Sequence, residues 1–216
     1  MTTTDETIRE GLERTGVLAI LRLRDHGLAV EATEAMVRGG IEIFELTQDD
    51  PGALASLRAV REAHPNDVTI GAGTVLDVET VAAVADAGAQ FCVSPNLDLA
   101  VVAASREAGL EPLPGVVTPT EIALARAHGV ELLKLFPGGE LGIAYMKALH
   151  GPFEDAALIP TGGIEAEETG DWLTAGALAV GLGGSIFPTR PTDADLGRIE
   201  ERAKIAVASA AAARPR

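Results

Sequence analysis

The sequence is poor in cysteine, aromatic residues, lysine and long apolar runs, and each shortage excludes a class of protein. Among 216 residues there is one cysteine, Cys92, so no internal disulfide can form. Aromatic residues make up 3% of the chain and hydrophobic residues 47%, so a core must be filled mainly by Ala, Val, Leu and Ile. No apolar run approaches the ~18 residues that a membrane helix needs. The opening Met1-Thr-Thr-Thr-Asp-Glu6 is polar and acidic, without the basic-then-apolar pattern of a secretion signal. A cytoplasmic protein without a membrane partner is expected. Positive charge is also short: 17 basic against 32 acidic residues give a net charge of −15. Such a field repels nucleic acid, which is therefore not an expected partner. The lysines are Lys134, Lys147 and Lys204, so a lysine inside an apolar run stands out.

What is present is a repeated junction in which a helix ends at glycine and an apolar strand follows. It occurs at Gly40, Gly88, Gly109, Gly129 and Gly176, with gaps of 48, 21, 20 and 47 residues. Glycine suits the left-handed end of a helix. Each long gap has room for two units, and strands at Val68–Gly73 and Leu158–Thr161 fill them. With Val17–Leu21 at the start, eight strands alternate with helices. Thr118-Pro-Thr-Glu121 is a capping box with proline at the first helical position. Asp77 and Asp98 precede further helices. Asp5–Arg14 reads as an extra helix before the first strand, and Asp193–Ala213 as a closing one. The expected fold is α/β, a (β/α)8 TIM barrel forming one domain over residues 1–216. Its N-terminal helix falls within 1–15, and its C-terminal helix and tail within 193–216. An open doubly wound sheet is the structural alternative.

Barrel enzymes act at the C-terminal ends of their strands. Those ends carry Arg22, Glu45 with Thr47, Thr74, Ser94-Pro95-Asn96, Pro114-Gly115, Lys134 with Phe136, Thr161-Gly-Gly163 and Gly183-Gly-Ser185. Strand alternation puts Glu45 and Thr47 on one face with Ile43, and Lys134 and Phe136 on one face with Leu132. If both faces point inward, a carboxylate and an amine meet inside an apolar cylinder. One reading is a buried salt bridge that fills the barrel, although desolvating both charges is costly. The other is Schiff-base chemistry. A lysine must be neutral to attack a carbonyl, and its reference pKa is about 10.4. Burial in general favours the neutral amine, whereas a nearby carboxylate favours the charged one. A partly desolvated carboxylate can in turn shuttle protons.

Two glycine-bearing turns, Pro160-Thr-Gly-Gly-Ile164 and Gly181-Leu-Gly-Gly-Ser-Ile186, follow strands seven and eight, where barrels often hold phosphate. Their amides can approach oxygens closely, and Thr161 and Ser185 add hydroxyls. Other candidates are set aside. His26, His64, His128 and His150 lie on helices or their flanks away from this rim, without metal-ligand spacing, so neither metal nor cofactor is expected. Cys92 reads as a buried structural thiol. Lys147 reads as a solvated helix residue, and Trp172 and Tyr145 as packing residues.

These motifs resemble a family. Glu45-Leu-Thr47, Gly71-Ala-Gly-Thr-Val75, Val93-Ser-Pro-Asn96, Pro114-Gly115, Lys134-Leu-Phe-Pro137, Gly151-Pro-Phe153 and Pro160-Thr-Gly-Gly-Ile164 are similar, in order, to the 2-keto-3-deoxy-6-phosphogluconate / 4-hydroxy-2-oxoglutarate (KDPG/KHG) aldolases. The match runs from about Val17 to Ile186. The resemblance implies a metal-independent class I aldolase, usually a homotrimer, that releases pyruvate and glyceraldehyde 3-phosphate. By motif it assigns Lys134 as Schiff-base residue, Glu45 as general acid/base and Arg22 as a contact for an anionic substrate group. Thr74, Pro95 and Phe136 would line the pyruvate pocket, and Thr47 joins the candidate substrate-binding set. Thr161, Gly162, Gly163, Gly184 and Ser185 would hold phosphate. Some relatives carry arginine after Glu-Leu-Thr, whereas this chain reads Gln48-Asp49-Asp50. An acidic loop there opposes a further negative charge, and a shifted or relaxed aldehyde specificity is expected. The same barrel also supports phosphosugar isomerases and epimerases, or a silent homologue; an imine at Lys134 separates these from an aldolase.

Overall fold

The computed structural model describes residues 7–214. Strands and helices alternate along the chain: α1 (Ile8–Thr15), β1 (Val17–Leu21), α2 (Ala29–Arg38), β2 (Ile43–Thr47), α3 (Ala53–Ala63), β3 (Thr69–Gly73), α4 (Val78–Asp86), β4 (Phe91–Val93) and α5 (Leu99–Glu107). The second half holds β5 (Glu111–Leu113), β6 (Gly115–Val116), α6 (Pro119–Ala127), β7 (Leu132–Leu135), α7 (Gly138–His150), β8 (Ala157–Pro160), α8 (Thr169–Thr174), β9 (Val180–Leu182) and α9 (Leu196–Ala213). Helix starts follow their side chains. Asp77 and Asp98 accept from the first turns of α4 and α5, and Thr118 with Glu121 closes a capping box on α6. The five junction glycines all have positive φ, from +74° at Gly129 to +107° at Gly176, a region that side chains resist. The first helix is described from Ile8, so the expected start at Asp5 lies outside the described residues.

All strand pairs are parallel. One sheet runs β5-β4-β3-β2-β1-β9 and a second β6-β7-β8. The expected fifth strand is therefore two short ones. Proline has no N–H to donate to a ladder, and the break falls at Pro114. The Pro114 carbonyl nevertheless accepts from the Lys134 amide at 2.9 Å. At the other end of the sheets Thr161 bridges Gly181, and the Leu178 amide donates to Leu158 O at 2.9 Å.

Alternation along the strands sorts the buried side chains into two clusters. Leu18, Ile43, Phe91, Leu113, Leu132 and Ile159 belong to an inner cluster that Leu12 of α1 also joins. Their neighbours Ala19, Phe44, Cys92, Leu133 and Leu158 belong to the cluster that packs under the helices. Strands buried on both faces account for the near-continuous apolar runs in the sequence. Each inner leucine or isoleucine contributes roughly 1.5–3 kcal/mol by burial. The inner parity of Ile43 and Leu132 directs Glu45 and Lys134, two residues further on, to the same interior.

Candidate active site

Lys134 and Glu45 come from different sheets and meet across that interior, with Lys134 Nζ 3.5 Å from Glu45 Oε1. The Glu45 side chain is 0% exposed and that of Lys134 8%. The amine also lies 5.5 Å from the centroid of the Phe136 ring. Neither carboxyl oxygen of Glu45 has a hydrogen-bond partner among the described residues. A pair built for stability closes to about 2.8 Å and satisfies its remaining donors and acceptors. This pair does neither, and a buried polar group left without partners is costly. Such an arrangement suits a site that exchanges protons with a guest molecule rather than one that staples a core.

The strand beside β2 is shaped around that carboxyl. At Gly73 a β-carbon would stand 1.9 Å from Glu45 Oε1, so the residue must be glycine for the carboxyl to occupy its place. Thr74 follows with φ of +57°, a conformation that costs a non-glycine residue of order 1–3 kcal/mol and clusters at functional sites. Pro95 is half-buried, and its carbonyl lies against Gly115, where a β-carbon would come within 2.2 Å of it.

A cavity of about 560 Å³ opens from Lys134 to the two glycine turns. Arg22, Phe136, Thr161, Gly162, Gly163, Gly184 and Ser185 line it, as do Glu165, Phe187 and Thr189, which the sequence did not single out. The amides of Gly162, Gly163, Gly184 and Ser185 make no backbone hydrogen bond among the described residues. Gly138 and Gly139, directly after the Lys-Leu-Phe-Pro motif, hold the first turn in place. Their amides donate to Thr161 O at 2.7 Å and Gly162 O at 2.8 Å, and side chains there would strike the turn. The Gly-Gly signal read at residues 162–163 was equally visible at 138–139. Glu45, Thr47, Thr74 and Pro95 do not form part of this cavity wall.

At the mouth the geometry departs from expectation. Arg22 does not stand free but pairs with Asp49, whose Oδ2 also accepts from Arg24 at 2.9 Å. Thr47 donates its hydroxyl to Asp49 Oδ1 at 2.8 Å, so it serves the loop. Burial works to raise the Asp49 pKa, but the Thr47 hydrogen bond and the Arg22 and Arg24 charges outweigh it and hold the carboxyl below the ordinary range. The acidic loop is thus largely neutralised by the arginines of the neighbouring β1–α2 connection. His26 lies nearer this rim than its place in the sequence suggested: it sits in the β1–α2 loop, with its ring 2.7 Å from both Asp50 Oδ1 and Ser56 Oγ. One aspartate of the acidic loop therefore anchors a histidine that the sequence reading placed away from the rim.

The residues set aside earlier are packed or solvated. Trp172 and Cys92 are buried, Tyr145 donates to Val117 O, and Lys147 is exposed. Burial pushes the Cys92 thiol up. Among the described residues no group of three or more His, Cys, Asp or Glu is placed to hold a metal ion, and no helix is long and apolar enough to cross a membrane.

Comparison with known proteins points the same way as the geometry. The family model described as KDPG and KHG aldolase matches residues 8–201. The KHG/KDPG aldolase of Escherichia coli is 32% identical, over 95% of this chain and 97% of its own length. The 2-dehydro-3-deoxy-phosphogluconate aldolase of Treponema pallidum is 38% identical over 77% of this chain and 80% of its own. Among solved structures, the KDPG aldolase from Legionella pneumophila, with pyruvate captured at low pH as a covalent carbinolamine intermediate, superposes with a TM-score of 0.83. It is 26% identical to this chain and covers 92% of it and 97% of the solved chain.

Proposed function

The chain belongs to the KDPG and KHG aldolase family, and we propose that it is a class I aldolase in which Lys134 forms the Schiff base and Glu45 carries the protons. Its substrate is 2-keto-3-deoxy-6-phosphogluconate or a related 2-keto-3-deoxy or 4-hydroxy-2-oxo acid, cleaved in the cytoplasm to pyruvate and an aldehyde. The observation that carries this reading is a sheltered amine 3.5 Å from a buried carboxyl group that has no hydrogen-bond partner among the described residues. The fold that holds them is a single closed (β/α)8 barrel with α1 as its extra N-terminal helix. The Pro114–Lys134 hydrogen bond and the Thr161–Gly181 bridge support closure at the two sheet margins. A homotrimer, as the resemblance implies, completes the proposal.

The neutral Lys134 amine attacks the C2 carbonyl to give a carbinolamine, and loss of water leaves an iminium. Glu45, directly or through a water, takes the C4 hydroxyl proton. The C3–C4 bond breaks, its electron pair enters the iminium to form an enamine, and the aldehyde leaves. Glu45 returns a proton to C3, and water hydrolyses the resulting iminium to pyruvate and free lysine. The amides of the two glycine turns, with Thr161 and Ser185, hold the distal phosphate, so remote binding aligns the reacting bond. Thr74, Pro95 and Phe136 shape the pyruvate end. Arg22 engages a substrate anion only in competition with Asp49, which weakens the preference for the more highly charged substrate.

A coupled assay of pyruvate release tests the proposal across phosphorylated and unphosphorylated 2-keto-3-deoxy acids. Turnover of at least one, abolished by Lys134→Ala in correctly folded protein, is the expected result. No turnover across the panel defeats it, and an undiminished preference for the phosphorylated gluconate acid defeats the Asp49 reading.

A further inference from the structure

Arg202 lies outside the cavity, on α9, yet it joins the second glycine turn to the segment that follows the first. Its side chain is 20% exposed. Its Nε donates to the Ser185 carbonyl at 2.8 Å, in the turn after β9. Its Nη2 donates to Glu167 Oε2 at 2.8 Å and to Glu165 Oε2 at 3.2 Å, in the segment after β8, while Nη1 meets the other Glu167 oxygen. Ser209, about two turns further along the same helix face, donates to the Glu167 carbonyl at 2.8 Å and accepts from the Gly170 amide at 2.9 Å. The closing helix is therefore fixed to the segment between the β8 turn and α8, and Arg202 carries that fixation across to the β9 turn.

Two consequences reach the cavity. The Ser185–Ile186 peptide is held at both ends, by Arg202 at its carbonyl and by Gly183 O at its amide, 2.9 Å away. Ser185 is thereby immobilised with its hydroxyl buried and without a partner among the described residues. Glu165, meanwhile, lines the same cavity as the turns. A carboxylate there opposes a phosphate, and the guanidinium behind it, shared with Glu167, offsets part of that charge. The planar fork of arginine meets four acceptor oxygens here, one more than the three donors of an ammonium can serve.

We propose that Arg202 is a positioning residue for phosphate: it fixes the Ser185 turn and, by pairing with Glu165 and Glu167, offsets part of their negative charge, so that the glycine turns accept a phosphorylated substrate. The inference rests on the phosphate-binding part of the proposed function, and inorganic phosphate serves as the probe because it separates the two. Calorimetric titration is expected to show phosphate binding to the wild-type protein and at least tenfold weaker binding to Arg202→Met, the scale of one lost charge-assisted contact. In the same variant KM for a phosphorylated substrate rises while borohydride trapping of pyruvate stays at the wild-type level, a split that general destabilisation does not produce. Adding Glu165→Gln to Arg202→Met restores part of the affinity. If Arg202→Met fails to fold, Arg202→Lys carries the test, with a loss of at least threefold expected. Wild-type-like phosphate binding in whichever variant folds overturns the role of Arg202 alone. No phosphate binding by the wild type overturns the phosphate subsite itself, and the role of Arg202 with it.

Discussion

Replacing Gly73 by alanine adds one methyl group at the base of the site, and the structure sets its consequence. The new carbon would stand 1.9 Å from Glu45 Oε1, 2.4 Å from Cδ and 2.5 Å from Cγ. Restoring ordinary contact requires the carboxyl to retreat by about 1.5 Å. Gly73 is not among the glycines with positive φ, so the backbone tolerates alanine and the effect comes from the clash alone. Because Glu45 is wholly buried, it cannot swing into solvent to make room. Overpacking of this kind costs about 1–3 kcal/mol of stability. Misplacing a catalytic group by about 1 Å lowers turnover by roughly 10²-fold. Urea unfolding and steady-state pyruvate release on Gly73→Ala, Glu45→Ala and the double variant read both effects. The alanine at 73 should lower kcat and stability on its own, but cost almost no stability once Glu45 is truncated. A Gly73→Ala protein with wild-type kcat and wild-type stability refutes the placement of Glu45 against this strand.

Three further outcomes follow from the same geometry. Glu45→Gln keeps the shape but cannot exchange the proton, so turnover should fall by about 10²–10⁴-fold while some imine with pyruvate still forms; undiminished turnover would remove Glu45 from the mechanism. Asp49 has a folded-state pKa below its unfolded value, so its ion pairs stabilise the protein fully above the ordinary carboxylate range, near pH 4, and lose that contribution as pH falls through the depressed folded value. The stability gap between wild type and Asp49→Asn should therefore be flat near neutrality, at about 1 kcal/mol or less, and shrink in strong acid; a gap that widens on acidification contradicts the pairing with Arg22 and Arg24. Burial raises the Cys92 thiol pKa and removes access, so alkylation of native protein at neutral pH should be far slower than in denaturant, and comparable rates would show an exposed thiol.

The alternation of strand and helix was legible because each junction glycine marks a backbone position with positive φ, and each capping aspartate or threonine marks a helix start. The inner face was legible for a similar reason: period-two alternation carries Ile43 to Glu45 and Leu132 to Lys134 without knowledge of the rest of the fold. What alternation does not supply is the distance across the interior, which depends on how two separate sheets come together. The interruption at Pro114 was visible as a proline in a strand, and the physical cause is the missing donor. The pairing of Arg22 with Asp49, of His26 with Asp50 and of Arg202 with Ser185 joins residues 17 to 27 positions apart through the conformations of the loops involved. Composition and periodicity carry no signal for such contacts, and so the mouth read as simply acidic when it is internally neutralised.

Reduction with borohydride in the presence of pyruvate, followed by peptide mass analysis, tests most directly whether the nitrogen at position 134 is nucleophilic. A stable pyruvate-derived mass on the peptide containing Lys134, lost in Lys134→Ala and absent from Lys147 and Lys204, is the expected result. Folded wild-type protein that acquires no adduct, or acquires it at another lysine, contradicts the Schiff-base mechanism.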